Sequence, residues 1–278
     1  MAENVAMLPP ARIALLYMLP CLCLAFFVPA LSAQATTQTI PDELQDLIQR
    51  QINWDENQRG GKNPGGLSLQ FSKIDETVSS GKRVALYRVY VIGAPEDKKF
   101  TLTVWRLGAD PHVHSSGIYI NSKGLLMVHK PSPDQKNSNF AGEDELHIAV
   151  QAARAEPIRY ALSSSDKALL VYGTLVPFPR EDTDRGCRLE VRLALPNAMA
   201  VLVYAEGLPA NTVVPFQLFS GDTQETRQLS VNAQGHAVTT EFPAAYVKNR
   251  GLLKLKVATP ECSVSVDIPW GEGSYHPL

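Results

Sequence analysis

The residues best suited to chemistry lie in one segment, Asp110-Pro-His112-Val-His114-Ser-Ser-Gly117. In an extended chain, residues i and i+2 point the same way, so His112 and His114 would present two imidazoles to one metal ion. His129 or His147, on neighbouring strands, is the candidate third ligand. A polar loop carrying two solvated histidines explains the same residues, because His-x-His alone has no fixed third ligand. Ser115 adjoins the pair, but no Gly-x-Ser-x-Gly elbow surrounds any serine. Ser163-Ser-Ser-Asp166 reads as a turn between strands. Glu143/Glu145 and Glu181/Asp182 are paired carboxylates in charged segments. A glycosidase needs its pair held across a cleft, which spacing along the chain does not supply. No glycine-rich phosphate loop follows a strand. The sequence therefore names no catalytic residue and no cofactor, and a metal-binding protein or metal-dependent hydrolase built on His112 and His114 stands as the alternative to a non-catalytic protein.

Aromatic side chains offer a second kind of site. Tyr87 and Trp105 fall in alternating segments, where an aromatic ring is more often core than platform. Trp270 and Tyr275 sit in the tail WGEGSYHPL. Its glycines and Pro277 predict irregular structure, with Trp270 folding back to plug the end of the last domain.

The elements that must position these groups are strands. From Leu67 onward, segments such as VALYRVYVI, FTLTVWRL, ALLVYGTLV, RLEVRLAL and LLKLKV alternate apolar and polar residues between Gly, Pro, Asn and Asp turn signals. That pattern predicts an all-β sandwich or barrel. EDELHIAVQAARA (143–155) fits a helix or a strand. Upstream, residues 36–66 are polar. Within them PDELQDLIQRQINW predicts a short amphipathic helix, with Leu44, Leu47, Ile48 and Ile52 on one face. Arg59 to Gly66 is a flexible linker by composition.

An internal repeat runs through the β region. Val89-Tyr-Val-Ile-Gly-Ala-Pro95 matches Val203-Tyr-Ala-Glu-Gly-Leu-Pro209. Phe100-Thr-Leu102 matches Phe216-Gln-Leu218, and Ile118-Tyr-Ile-Asn-Ser-Lys-Gly124 matches Leu229-Ser-Val-Asn-Ala-Gln-Gly235. The boundary between copies falls at VPFPREDTDRGC (176–187), where two prolines stop strand pairing and the charged run is solvated. The expected organisation is a first sandwich with an insertion at 67–180 and a second at 185–278, the second holding seven strands. The run GLPANTVVPFQLFSG…LSVNAQGHA resembles bacterial Ig-like and fibronectin-type repeats, in which a Gly-x-Pro corner leads to a strand and an Asn/Asp-x-x-Gly hairpin follows. The resemblance implies two tandem Ig-like β-sandwich domains serving as spacer, adhesion or binding units.

Residues 1–35 predict export. Ile13 to Ala33 is uncharged and apolar, and Ala33-Gln-Ala35 has the small-x-small form of a signal-peptidase site. The same segment, 13–33, is long enough to serve as an uncleaved inner-membrane anchor. Cys21 and Cys23 leave with a cleaved leader, so Cys187 and Cys262 remain, and an oxidising compartment favours one disulfide between them, with two buried free thiols as the alternative. That bridge is expected to pin the terminal strands of the second copy rather than join its sheets. The formal charge of −2 and scattered lysines and arginines offer no basic surface for nucleic acid. The expectation is a periplasmic, secreted or cell-surface protein with a binding, scaffold or envelope role and a protein or glycan partner. Membrane contact would come only through an uncleaved leader.

Overall fold

Alternation along residues 82–92 becomes strand β2 (Lys82–Ile92), in which Ala85, Tyr87, Val89 and Val91 are buried and Arg88 and Ile92 are exposed. Every second side chain of a pleated strand faces the core, so such a sequence can bury one face only as a strand. The computed structural model describes residues 41–59, 66–80, 82–131, 140–221, 223–243 and 249–274, and these belong to one compact unit. The leader with Cys21 and Cys23, linker residues 60–65 and Tyr275 lie outside the described residues.

The first half contains β1 (Ser68–Ser79), β2, β3 (Phe100–Trp105), β4 (His112–Ile120), β5 (Leu126–Pro131), β6 (Phe140–Glu145), β7 (His147–Val150), β8 (Ile158–Ser164) and β9 (Leu170–Leu175). They form a three-stranded sheet, β1-β2-β7, and a six-stranded sheet, β6-β5-β4-β3-β8-β9. Val89 and Ile148 of the first sheet share a core with Leu102, Ile118 and Leu162 of the second. The ambiguous segment 143–155 is strand through Val150, with no helix.

The second half contains β10 (Arg180–Asp184), β11 (Cys187–Leu193), β12 (Val201–Glu206), β13 (Val213–Ser220), β14 (Thr223–Ser230), β15 (Ala237–Glu241), β16 (Arg250–Ala258) and β17 (Ser263–Gly271). Its two sheets run β10-β11-β12-β15 and β14-β13-β16-β17 around a second core. Leaving out β5, β6 and β10, the halves have one strand order: β1-β2-β7 with β4-β3-β8-β9 in the first, β11-β12-β15 with β14-β13-β16-β17 in the second. All pairings are antiparallel. The fold class is all-β, as the sequence predicts.

The Asn-x-x-Gly turns agree bond for bond. Asn121 Oδ1 accepts from the amides of Lys123 and Leu125, both at 3.0 Å, and Asn232 Oδ1 accepts from Gln234 and His236 at 3.0 and 2.9 Å. Gly124 and Gly235 both adopt φ +77°, which favours glycine. A Cβ there would stand 2.5 Å from Val91 O or 2.7 Å from Leu208 O.

Three local expectations change. Arg180–Asp184 is not a solvated linker but edge strand β10, paired along β11, so the described residues of the second half form eight strands. Its alternate side chains reach the free edge of β17: Asp184 and Asp182 accept from the amides of Ser263 and Ser265, both at 2.8 Å, and Arg180 donates to Asp267 O at 2.8 Å. A charged run is thus held by unpaired strand groups that water would otherwise satisfy. Trp270 is not in an irregular tail: it lies within β17, opposite Gly251, and is 1% exposed in the second core. Third, the Cys187–Cys262 disulfide forms, and because Cys187 opens β11 and Cys262 precedes β17, it links the two sheets. Both cysteines are buried members of the second core.

Among the described residues, one α-helix, α1 (Asp42–Arg59), precedes the strands. Pro41 O caps it by accepting from the amides of Leu44 and Gln45 at 3.0 and 3.2 Å, and Asp42 and Glu43 suit the positive end of the helix dipole. No helix among the described residues is long and apolar enough to cross a membrane.

Candidate functional site

The polar centre of the molecule lies beneath α1. Strand β11 is buried on both faces: Cys187, Leu189, Val191 and Leu193 enter the core, while Glu190 and Arg192 point the other way. In β12, Val203 and Ala205 enter the core, and Leu202 and Tyr204 join Ile48, Ala194 and Ala200 in a small cluster under the helix. The helix therefore covers what a half-buried strand leaves to solvent. Positions 48, 51, 52 and 55 share one helix face, so the predicted apolar stripe continues into Gln51 and Asp55.

Asp55 is fully buried and receives donors from both halves of the β region. From the first half, Arg159 Nε donates to Oδ1 and Nη2 to Oδ2, each at 3.1 Å, and Thr174 Oγ1 donates to Oδ1 at 2.8 Å. From the second, the Tyr204 hydroxyl donates to Oδ2 at 2.7 Å, and Arg192 Nη1 lies 3.2 Å from the same oxygen. Arg192 is also held by Glu190, through Nε to Oε1 at 2.6 Å and Nη2 to Oε2 at 3.1 Å. Arg159 is 2% exposed and its guanidinium lies 5.5 Å from the Trp105 ring centroid. Beside this cluster, fully buried Glu156 pairs with Arg106 at 2.8 Å and accepts from the Ala153 amide at 2.9 Å.

Burial alone would raise the Asp55 pKa, but Arg159, then Arg192, then the Tyr204 hydrogen bond outweigh it and hold the carboxyl below its usual range. Burial lowers the pKa of Arg192, yet Glu190 and Asp55 win and raise it. Burial and the Asp55 charge raise Tyr204. Asp55 is thus held as a carboxylate within a buried cluster. A carboxylate so held has no proton to exchange near neutral pH, and what the arrangement does is bind charge to charge.

An open groove borders the cluster. Trp54 lies 4.7 Å from Tyr172 and 5.5 Å from Trp105 by ring centroids. Two adjoining hollows, of 310 and 270 Å3, share Leu47, Trp105, Ala109 and Asp110 as lining residues. Trp105, expected in the sequence as core or platform, is both nearly buried and part of this wall. Tyr87 is core, its hydroxyl donating to Pro177 O at 3.4 Å.

The residues marked by sequence lie elsewhere. His112 and His114 are exposed near the start of β4. Thr103 pairs with Val113 and Leu102 with Ser115, so His114 is the extra residue of a bulge and the regular alternation that would aim both rings alike is interrupted there. His114 Nδ1 lies 2.9 Å from Ser115 Oγ and His112 Nδ1 lies 3.3 Å from Asp110 O. Partial burial, then the neighbouring His112, lower the His114 pKa. His129 stacks on Tyr119 with ring centroids 4.8 Å apart, and His147 lies 3.2 Å from Glu145. No group of three or more His, Cys, Asp or Glu at metal-binding separation occurs among the described residues. Ser164 and Asp166 close the β8–β9 turn, Asp166 Oδ1 accepting from the Ala168 amide at 3.1 Å. Glu181 pairs with Arg188 at 2.6 Å on β10 and β11.

Sequence reasoning missed Asp55, Arg159, Arg192 and Glu190. Glu190 and Arg192 hold the polar positions of an alternating strand and read as solvent-facing. Arg159 is a single charge inside PIRYALS, the one local signal. No family model and no curated protein matches the chain.

Proposed function

We propose that this chain is an exported, non-catalytic protein of two Ig-like or fibronectin-type modules that binds or scaffolds other molecules at the cell envelope. The observation that carries it is the shared strand order of the two halves, three strands against four, with matching Asn-x-x-Gly turns. Those features support reading the two halves, matched along Val89–Gly124 and Val203–Gly235, as copies of one module, the first half enlarged by strands β5 and β6 that follow the matched segment. The Cys187–Cys262 bridge supports maturation in an oxidising compartment. The buried cluster around Asp55 supports a cohesive rather than a reactive centre.

The test is to express the whole gene product and fractionate the cells. Mature protein beginning just after Ala33 or Ala35, outside the cytoplasm, with no alkylatable thiol, is the expected result. Material beginning at Met1 in the membrane fraction replaces export with anchoring by residues 13–33, and a cytoplasmic, reduced protein overturns the reading. Cross-linking of the mature protein in intact cells is expected to capture a protein or glycan partner, and its absence at native abundance counts against a binding role.

The metal-binding alternative keeps one supporting observation: His112 and His114 are exposed, close enough to influence one another, and His114 favours its neutral, ligating form. Stoichiometric zinc or copper in the purified protein, lost in His112→Ala, would replace the non-catalytic reading.

A further inference from the structure

We propose that the aromatic groove between α1, β3 and β9 is a saccharide-binding site that takes neutral sugar rings. This rests on reading the chain as a binding module, and it commits that reading to a glycan and to one surface. Val104, Tyr160, Leu162 and Val171 face the first core. Alternation therefore leaves Trp105, Arg159, Tyr172 and Thr174 on the other face of the six-stranded sheet, beneath the helix. Trp105 pairs across strands with Arg159, and Arg159 with Thr174. Thr174 bonds Asp55, and Trp54 precedes Asp55 in α1, so the anchor of the helix delivers the Trp54 indole against Tyr172 and Trp105. The three rings wall a hollow of 310 Å3, at the lower end of the range of about 300–1,000 Å3 for small-ligand sites. The second hollow, of 270 Å3, continues it past Ala109 and Asp110.

The chemistry of the groove selects a ring that is apolar on its faces and hydroxylated at its edge. Aromatic walls offer large apolar area to the C–H face of a sugar. The rim carries charges of both signs, Arg50 on α1 and Asp110 between β3 and β4, and both are exposed. A charged ligand is repelled by one of them, whereas a hydroxyl accepts from Arg50 and donates to Asp110. Ring centroids 4.7 and 5.5 Å apart put the rings in contact, so they form a wall and not a cage around a cation. Each hollow also borders a residue with a buried polar atom that makes no hydrogen bond: Trp54 Nε1, a donor, at the first and Gln51 Oε1, an acceptor, at the second. Side-chain adjustment of the kind common on binding brings them to a ligand. A sugar hydroxyl serves either atom, while the prolines of a proline-rich peptide offer carbonyl acceptors only and leave Gln51 Oε1 without a donor.

The experiment uses the full mature chain and reads tryptophan emission. Of the three tryptophans, Trp54 and Trp105 wall the groove, while Trp270 is 1% exposed in the second core. Cellobiose, maltose and N,N′-diacetylchitobiose are titrated separately, with an oligoproline peptide as the competing ligand class. A saturable change in emission with at least one sugar is the expected result. Asp110→Ala and Arg50→Ala, both at exposed positions, are then expected to weaken that sugar about tenfold each, the effect of losing one hydrogen bond to a charged group. No response to any of the three sugars overturns the proposal and needs no variant to fold. A response that neither variant alters also overturns it, as does saturation by the oligoproline peptide in place of the sugars. Failure of the sugars leaves the binding reading standing on its cross-linking test. Failure of the cross-linking test alone leaves the titrations in force for the groove.

Discussion

Replacing Asp55 with Asn removes one charge from a site where two arginines were buried against it. The side chain keeps its size, so packing is unchanged and the loss is electrostatic. Arg192 retains Glu190, while Arg159 loses the carboxylate that both its Nε and Nη2 donate to and keeps its contact with the Trp105 ring. Removing one partner of a buried ion pair costs about 3–5 kcal/mol, since the remaining charge stays desolvated. The lower end applies here because Asn still accepts from Thr174 or Arg159. About 3 kcal/mol of α1 docking is therefore expected to vanish, which corresponds to a fall in α1 amide protection of about 100-fold. Native-state hydrogen exchange resolved along the helix measures it, with β16 amides as the internal reference. A double-mutant cycle with Arg159→Gln supplies the second arm: the pair is expected to cost little more than either single change, because the second mutation removes the charge orphaned by the first. Additive losses, or a fall in protection under about fivefold, would refute the idea that Asp55 joins the two halves to α1.

Three further outcomes follow from other parts of the molecule. Breaking the bridge with Cys187→Ala and Cys262→Ala together opens a loop of sequence separation 75 and is expected to cost about 4 kcal/mol in the chain-entropy model, read from urea denaturation; a loss under about 1 kcal/mol contradicts it. Burial raises the Glu241 carboxyl to about 7 against an ordinary 4.5, although Arg227 bonds it at 2.6 Å. The folded state therefore holds a proton that the unfolded state has released, so stability falls as pH rises from 4.5 to 7, by at most about 3 kcal/mol. Glu241→Gln is expected to flatten that slope, and parallel pH profiles for the two proteins would sink the assignment. Gly124→Ala and Gly235→Ala each force a Cβ against a backbone oxygen at positive φ and are expected to cost about 1–3 kcal/mol, equally in both halves; a neutral effect at either contradicts the turn geometry.

Much of the frame is legible one residue at a time. Val89, Leu102 and Val203 announce strands because alternation and β-branching are local properties, and Asn121 and Asn232 announce turns because an Asn side chain bonds its own neighbourhood. The helix is legible from Leu44, Leu47, Ile48 and Ile52. What covers a strand is not local. Glu190, Arg192 and Tyr204 occupy polar or tip-polar places in alternating segments, and nothing nearby shows that a helix more than a hundred residues earlier lies on them. Arg180–Asp184 failed for the same reason: five charged or polar residues read as solvated unless the open edge of β17 is known to stand beside them.

The all-β class, the turn chemistry and the existence of a helix near residue 48 were determined by the sequence alone, since each rests on spacing between neighbours, whereas the sequence left Cys187 and Cys262 open between a bridge and two buried thiols until the structure brought them together. The tertiary structure alone decided that the bridge joins two sheets, that Trp270 belongs to a strand, that His114 sits in a bulge, and that Asp55 gathers Arg159, Arg192 and Tyr204. Those facts depend on which surfaces meet. A buried charge is stable only where partners from distant segments arrive together, and no stretch of sequence carries that meeting point.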